Sequence, residues 1–157
     1  MIYLNVSMIV WNEFRNDARV LKEAETLQAE GYQVTVHALH TQGLTKKRET
    51  LVSGVHVVRV ARSPLWKWRK LKASYLARTV VAEGTNEAVG PISKMSLLRK
   101  LFRIVARILT HVGLLVQMVK SRPDVVHAHD VNTLPTAWLV SVLTRSPLIY
   151  DAHEISA

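Results

Sequence analysis

No cysteine occurs among the 157 residues. That absence excludes a disulfide framework and any thiolate metal site, and it suits a reducing cytoplasmic setting. The opening "MIYLNVSMIVWNEFRND" lacks the basic flank and small-residue cleavage pattern of a secretory leader. A long uninterrupted apolar run is missing too: "ILTHVGLLVQMV" is broken by His111 and Gln117 and falls short of the about 20 residues a spanning helix needs. Acidic side chains are scarce in one region only. Between Lys46 and Arg107 fifteen Lys or Arg face three acids, a balance of +12, while the remainder of the chain carries −3 of the net +9. A basic block of this kind attracts phosphate-rich partners, whether nucleic acid, anionic lipid or a phosphorylated substrate. No RNP, helix-turn-helix or other reader pattern accompanies it, so nucleic acid is not expected.

What is present alternates short apolar runs with amphipathic segments, on a chain of about one domain's length. "IYLNVSMIV" reads as a strand and "WNEFRND" as the turn after it. "DARVLKEAETLQAEGY" places Val20, Leu21, Ala24 and Leu27 on one helical face with acids on the other, and Gly31 stops the helix. "YQVTVHAL" and "VHVVRVA" read as further strands, with 41–53 as the loop between them. Residues 66–83 read as a helix and "EGTNEAVGP" as a loop. From Met95 to Lys120, Leu98, Leu101, Val105, Ile108, Val112, Leu115 and Val119 recur at three- and four-residue steps, the mark of a long helix. "PDVVHAHD" is then a buried strand, "TLPTAWLVSVLT" a helix, and Leu148 to Tyr150 a central strand. Strands separated by helices imply right-handed crossovers and a doubly wound, mainly parallel α/β sheet. Ligands bind such sheets beyond the carboxyl ends of the strands, which directs attention to 11–17, 127–133 and 151–156.

Several residues in those segments carry chemistry. His127 and His129, two apart on a strand, project to one face. His127 reads as a buried, hydrogen-bonded core histidine, and His129 lies at the strand exit beside Asp130. A zinc site would need a third ligand, for which Asp130, Asp151 or His153 are candidates. Asp130 could bond a sugar hydroxyl or cap the following helix, a position equally open to Asn132 or Thr133. Asn16 reads as the cap of the first helix, and Asp151, His153 and Glu154 form a polar cluster after the last strand.

"NDARVLKEAETLQAEGYQVTVHAL" and "RPDVVHAHDVNTLPTAWLVSVLTRSPLIYDAHE" resemble the amino-terminal half of family 4 glycosyltransferases, which have the two-domain GT-B architecture. The resemblance covers roughly residues 1–60 and 120–157. It implies a Rossmann-like domain that holds the acceptor, while a carboxyl-terminal domain of similar fold binds the nucleotide-sugar. Transfer between them retains the anomeric configuration and usually needs no metal, so neither cofactor nor metal ligand is expected. By the same resemblance His129 faces the donor sugar and acceptor, and His153 and Glu154 line the acceptor side of the cleft; beside them Asp130 is taken as a second catalytic candidate and Asn16, Arg19, Asn132 and Thr133 as candidates for substrate contact. Many members carry a Gly-Gly pair after the first strand. "WNEFRNDARV" has none and resembles a subgroup with an N-D-x-R-V start, in which Arg15 or Arg19 could offer charge. The family's E-x7-E motif is also missing, so the expectation is one incomplete domain over 1–157, acting with a donor-binding domain in the same or another polypeptide.

The basic middle, 62–120, suggests location. "LWKWRKLK" interleaves Trp66 and Trp68 with Lys67, Arg69 and Lys70, a pattern suited to a membrane interface. Lys100, Arg103, Arg107 and His111 recur as a basic stripe opposite the apolar face of the long helix. The whole reads as the acceptor-binding half of a retaining glycosyltransferase of envelope polysaccharide assembly, cytoplasmic and peripheral on the inner face of the plasma membrane. Its partners would be a nucleotide-sugar, a glycan or lipid-linked acceptor and an anionic membrane. The alternatives are a non-catalytic docking subunit of a split glycosyltransferase and a His-x-His metal-dependent hydrolase.

Overall fold

The computed structural model of the chain describes residues 4–62 and 92–151, the side chains of 92–99 excepted. The chain divides into two compact units, residues 1–61 with 110–157 and residues 62–109. The first is a six-stranded sheet. Its strands are β1 (Asn5–Ile9), β2 (Gln33–His40), β3 (Arg48–Thr50), β4 (His56–Ala61), β5 (Val125–Ala128) and β6 (Leu148–Tyr150), in the order β3-β4-β2-β1-β5-β6. Every neighbouring pair is parallel except β3 with β4. The expected parallel α/β sheet is therefore present. Two details differ: the 41–53 loop contains the short strand β3, and β6 lies at the sheet edge among the described residues instead of at its centre, with Ile149 half exposed. The central places go to β1, β2 and β5.

Helix α1 (Ala18–Ala29) covers one face. Val20 and Ala24 are buried, Leu21 and Leu27 pack beside them, and the core beneath is Val6, Met8, Val34, Val36 and Val57. The chain leaves α1 through Gly31 at φ 92°, a left-handed conformation that glycine adopts without a Cβ penalty. On the opposite face, α2 (Ile92–Lys120) and α3 (Leu134–Thr144) bury Leu114, Met118, Ala137 and Val140 against Ile9, Leu39, Val126 and Ala128. Each fully buried Leu or Met contributes about 1.5–3 kcal/mol. Gly113 lets α2 approach β4 closely, since a Cβ there would stand 2.6 Å from Val60 Cγ1.

The buried seam of α2 is not the expected one. Thr110, Leu114 and Met118 line it, while Val112 is half exposed and Leu115 and Val119 flank the core. A helix apolar on more than one side has no unique stripe, so the sheet selects the face. Residues 110–120 thereby belong with the sheet, whereas Leu101, Ile104, Val105 and Ile108 are exposed. Nor is the apolar stretch too short: Lys100–Lys120 has the length and composition of a membrane-crossing helix, although its last two turns and more pack in the sheet core. The expected helix at 66–83, the loop after it, and Trp66, Lys67, Trp68, Arg69 and Lys70 lie outside the described residues.

Candidate functional site

Chain order decides where a ligand can enter. β1 connects through α1 to β2 on one side, whereas β5, its other neighbour, is reached through α2 on the opposite face. The crevice beyond the carboxyl ends of β1 and β5 is thus the topological switch point of the sheet. The loops leaving these strands meet there: Trp11 N donates to Asp130 Oδ2 at 2.6 Å, and His129 N donates to Ile9 O at 3.2 Å. An Asp side chain so engaged is a brace between two loops. Asp130 makes no side-chain cap bond to the short 3₁₀ turn Val131–Thr133, contrary to the capping alternative.

The glycine-free loop after β1 is held by side chains. Asn12 Oδ1 accepts from Phe14 N at 2.7 Å, and Asn12 Nδ2 donates to Asp17 Oδ2 at 2.9 Å. Phe14 adopts φ 48°, uncommon for a residue with a Cβ, and buries its ring in the α1 core. Arg59 secures that turn from β4. Its Nε donates to Glu13 O at 2.8 Å, one terminal nitrogen donates to Phe14 O at 3.2 Å, and the other donates to Lys46 O at 3.1 Å and pairs with Glu49 at 2.6 Å. A guanidinium that is only 6% exposed is accommodated there because three backbone carbonyls and a carboxylate meet its donors. The loop encloses an open depression of about 370 Å³ lined by Asn12 to Asp17. On its other flank the Trp11 indole stacks on the His111 imidazole at 4.4 Å, and His111 Nδ1 lies 2.7 Å from Thr136 Oγ1. His111 is therefore part of this packing and not of a solvated basic stripe.

Asp17, one residue later than expected, caps α1: its Oδ1 accepts from Val20 N at 3.3 Å. Asn16 is exposed and free of that duty, and Arg19 is exposed on the first turn. Asn132 is exposed beyond β5. Thr133 is sealed at 0% exposure and donates its hydroxyl to Asp130 O at 2.7 Å, so its side chain presents nothing to a substrate. Arg103 and Arg107 are exposed on α2, and His153 and Glu154 lie outside the described residues.

The two histidines turn toward α1. His127 is buried, as expected, and its Nδ1 lies 2.9 Å from Glu23 Oε1. His129 does not open to the crevice: it is 2% exposed, its ring sits 4.2 Å from that of His127, and its Nδ1 is 3.9 Å from Glu23 Oε2. Burial pushes the His129 imidazole down to about 4. His127 and Arg19 add to that lowering, while Asp151 and Asp17 oppose it. At neutral pH it is an uncharged ring. A separate depression of about 520 Å³, lined by Thr35, His37, Arg48, His56, Lys120 and Ser121 among others, lies on the first residues of β4 and the end of α2, away from the strand exits.

Glu23 and Arg59 are the site residues that pattern reading passes over. Glu23 falls among the acids that the helical pattern sets opposite the apolar face of α1, but it stands one residue before the buried Ala24, and its carboxylate reaches His127. Arg59 had a signal in "VVRV": it shares the inward parity of Val57, an unusual place for a cation unless it is fully paired. The family model described as "Glycosyl transferase 4-like domain" matches residues 17–157, and no curated protein matches the chain.

Proposed function

Because the chain belongs to the glycosyl transferase 4-like domain family, we propose that it is the acceptor-binding half of a retaining glycosyltransferase of GT-B type. A nucleotide-sugar held by a second α/β half donates the sugar, and a glycan or lipid-linked acceptor of envelope polysaccharide synthesis lies in the crevice beyond β1 and β5. The observation that carries this reading is the junction of the two loops at the switch point, where Asp130 fixes Trp11. Asp130 orients the crevice wall, and Asn16, Arg19 and Asn132 stand exposed around it for hydroxyl and phosphate groups. His129, neutral and buried, supports that wall from below. Exposed Arg103 and Arg107 beside exposed Leu101, Ile104 and Ile108 favour attachment to an anionic membrane.

Amide NMR titration of the chain tests the central claim. A polyprenyl-diphosphate glycan should shift Trp11, Asn16 and Asn132 with saturation, while nucleotide-sugars alone should not. Saturable nucleotide-sugar binding in this crevice, with no response to any acceptor, would reverse the assignment. Flotation with anionic vesicles at low and high salt tests the membrane claim, which fails if the chain stays with the soluble fraction at both.

A further inference from the structure

Glu23, His127 and His129 converge between α1 and the carboxyl end of β5. Each offers one donor atom, and the three donor atoms lie within 4.8 Å of one another. Glu23 Oε1 stands 2.9 Å from His127 Nδ1, and the other carboxylate oxygen, Oε2, stands 3.9 Å from His129 Nδ1. In a four-coordinate site with metal–ligand bonds of about 2.0–2.1 Å, tetrahedral angles place neighbouring ligand atoms roughly 3.3–3.4 Å apart. Each carboxylate oxygen thus faces one imidazole, at distances on either side of that value, and rotation of the Glu23 side chain that turns one oxygen between the two rings brings an ion within reach of all three.

The present partners leave the cluster unsatisfied. His127 Nε2 and both nitrogens of His129 are buried with no hydrogen-bond partner. Of these three, His129 Nδ1 is the one that an ion beside Glu23 satisfies, and an unmet buried group of this kind costs about 1–3 kcal/mol. His129 Nδ1 in particular faces the Glu23 carboxylate from beyond hydrogen-bond reach, a separation that a shared ion spans and a proton does not. Two imidazoles and one carboxylate suit zinc and its neighbours in the first transition row, whereas magnesium and calcium prefer all-oxygen sets. Glu23 is one-third exposed, which gives the ion a route from solvent and leaves the fourth position to water.

We propose that Glu23, His127 and His129 form a three-ligand zinc-type metal site that ties α1 to the carboxyl end of β5. The third ligand comes from a helix, not from Asp130, Asp151 or His153 as the His-x-His spacing alone suggested. Coordination through Nδ1 places each ring's proton on Nε2. Nothing in the acceptor-binding reading depends on the ion, and the outcome of its test leaves that reading untouched.

The full chain, stripped with chelator and dialysed, is titrated with zinc by calorimetry and with cobalt by visible absorption. One equivalent should bind, cobalt should give the intense bands of a tetrahedral site, and ¹⁵N spectra of the zinc form should show His127 and His129 protonated at Nε2. Glu23→Gln and His129→Asn should each weaken zinc by about tenfold or more, whereas His56→Ala, at an exposed histidine, should not. The proposal is overturned if wild type binds no zinc, if cobalt stays octahedral, or if affinity survives both cluster substitutions. The wild-type spectra decide the matter even if a variant fails to fold.

Discussion

Replacing His37 by leucine should flatten the acid side of the stability profile. His37 sits on β2 facing α2, 1% exposed, with neither ring nitrogen partnered. Burial pushes its imidazole down from 6.5 to about 3. Below pH 6.5 the unfolded chain therefore takes up a proton here that the folded chain refuses until about pH 3. Stability is unaffected above 6.5 and is lost as the pH falls through that window. Between pH 7 and pH 5 this one residue removes about 2 kcal/mol, at 1.36 kcal/mol for each pH unit below the unfolded value. His129, pushed down to about 4, adds a loss of the same sign in both proteins and cancels in the comparison. Urea unfolding followed by circular dichroism at pH 7 and pH 5 gives the four free energies. The leucine variant should lose about 2 kcal/mol less than wild type over that interval. Equal losses would mean that His37 is solvated or partnered, and the burial argument would fail.

Three further substitutions probe the parts that hold the site. Gly113→Ala drives a Cβ to 2.6 Å from Val60 Cγ1 and should cost about 1–3 kcal/mol in chemical denaturation, with Val60→Ala in the same chain recovering part of it. Arg59→Met strips the carbonyls of Glu13, Phe14 and Lys46 of their donors and should cost about 2 kcal/mol or more, and Arg59→Lys should not restore it because an ammonium lacks the planar fork. Asp17→Ala removes the α1 cap at about 1 kcal/mol, while Asn16→Ala changes stability by less than about 0.5 kcal/mol. A larger loss at Asn16 than at Asp17 would return the cap to the earlier residue.

Period and punctuation carried much of this fold. Val20 and Ala24 point inward where the three- and four-residue spacing placed them, and Gly31 ends α1 at positive φ. The errors occur where two solutions satisfy the same pattern. Asn16 and Asp17 are both good caps, and the choice fell to Asp17 because Asn12 reaches its second oxygen. Helix α2 is apolar on several sides, so the buried seam could be assigned only by the strand beneath, where Val60 meets Gly113. The strand β3 is three residues long and owes its existence to pairing with β4, a non-local fact that no local period encodes. At the site, the parity of His127 and His129 was legible, but their direction was not. A side chain's face on a strand is fixed only once the helix on that face is known, and here α1 supplied Glu23.

The loop after β1 bears on which substrate this domain takes. A Gly-Gly turn leaves backbone amides bare for a diphosphate, as a helix amino terminus does. Here the amides are engaged: Trp11 N by Asp130, Phe14 N by Asn12 and Val20 N by Asp17. A donor diphosphate seated on this loop would have to displace three side-chain acceptors, two of them carboxylates that repel it. Each displaced bond to a charged acceptor is worth about 1.5–3 kcal/mol, a cost that bare glycine amides do not impose. The charge left for an anion is carried by the exposed Arg15 and Arg19, on flexible stems at the rim. Such a rim suits an acceptor's phosphate approaching from outside better than a nucleotide-sugar buried in the crevice. Asp130→Asn puts this to work, since it removes the negative charge at Trp11 N while keeping an acceptor oxygen. If the engaged loop is what excludes the donor, the variant should gain measurable affinity for a nucleoside diphosphate in calorimetry, and unchanged failure to bind would assign the exclusion elsewhere.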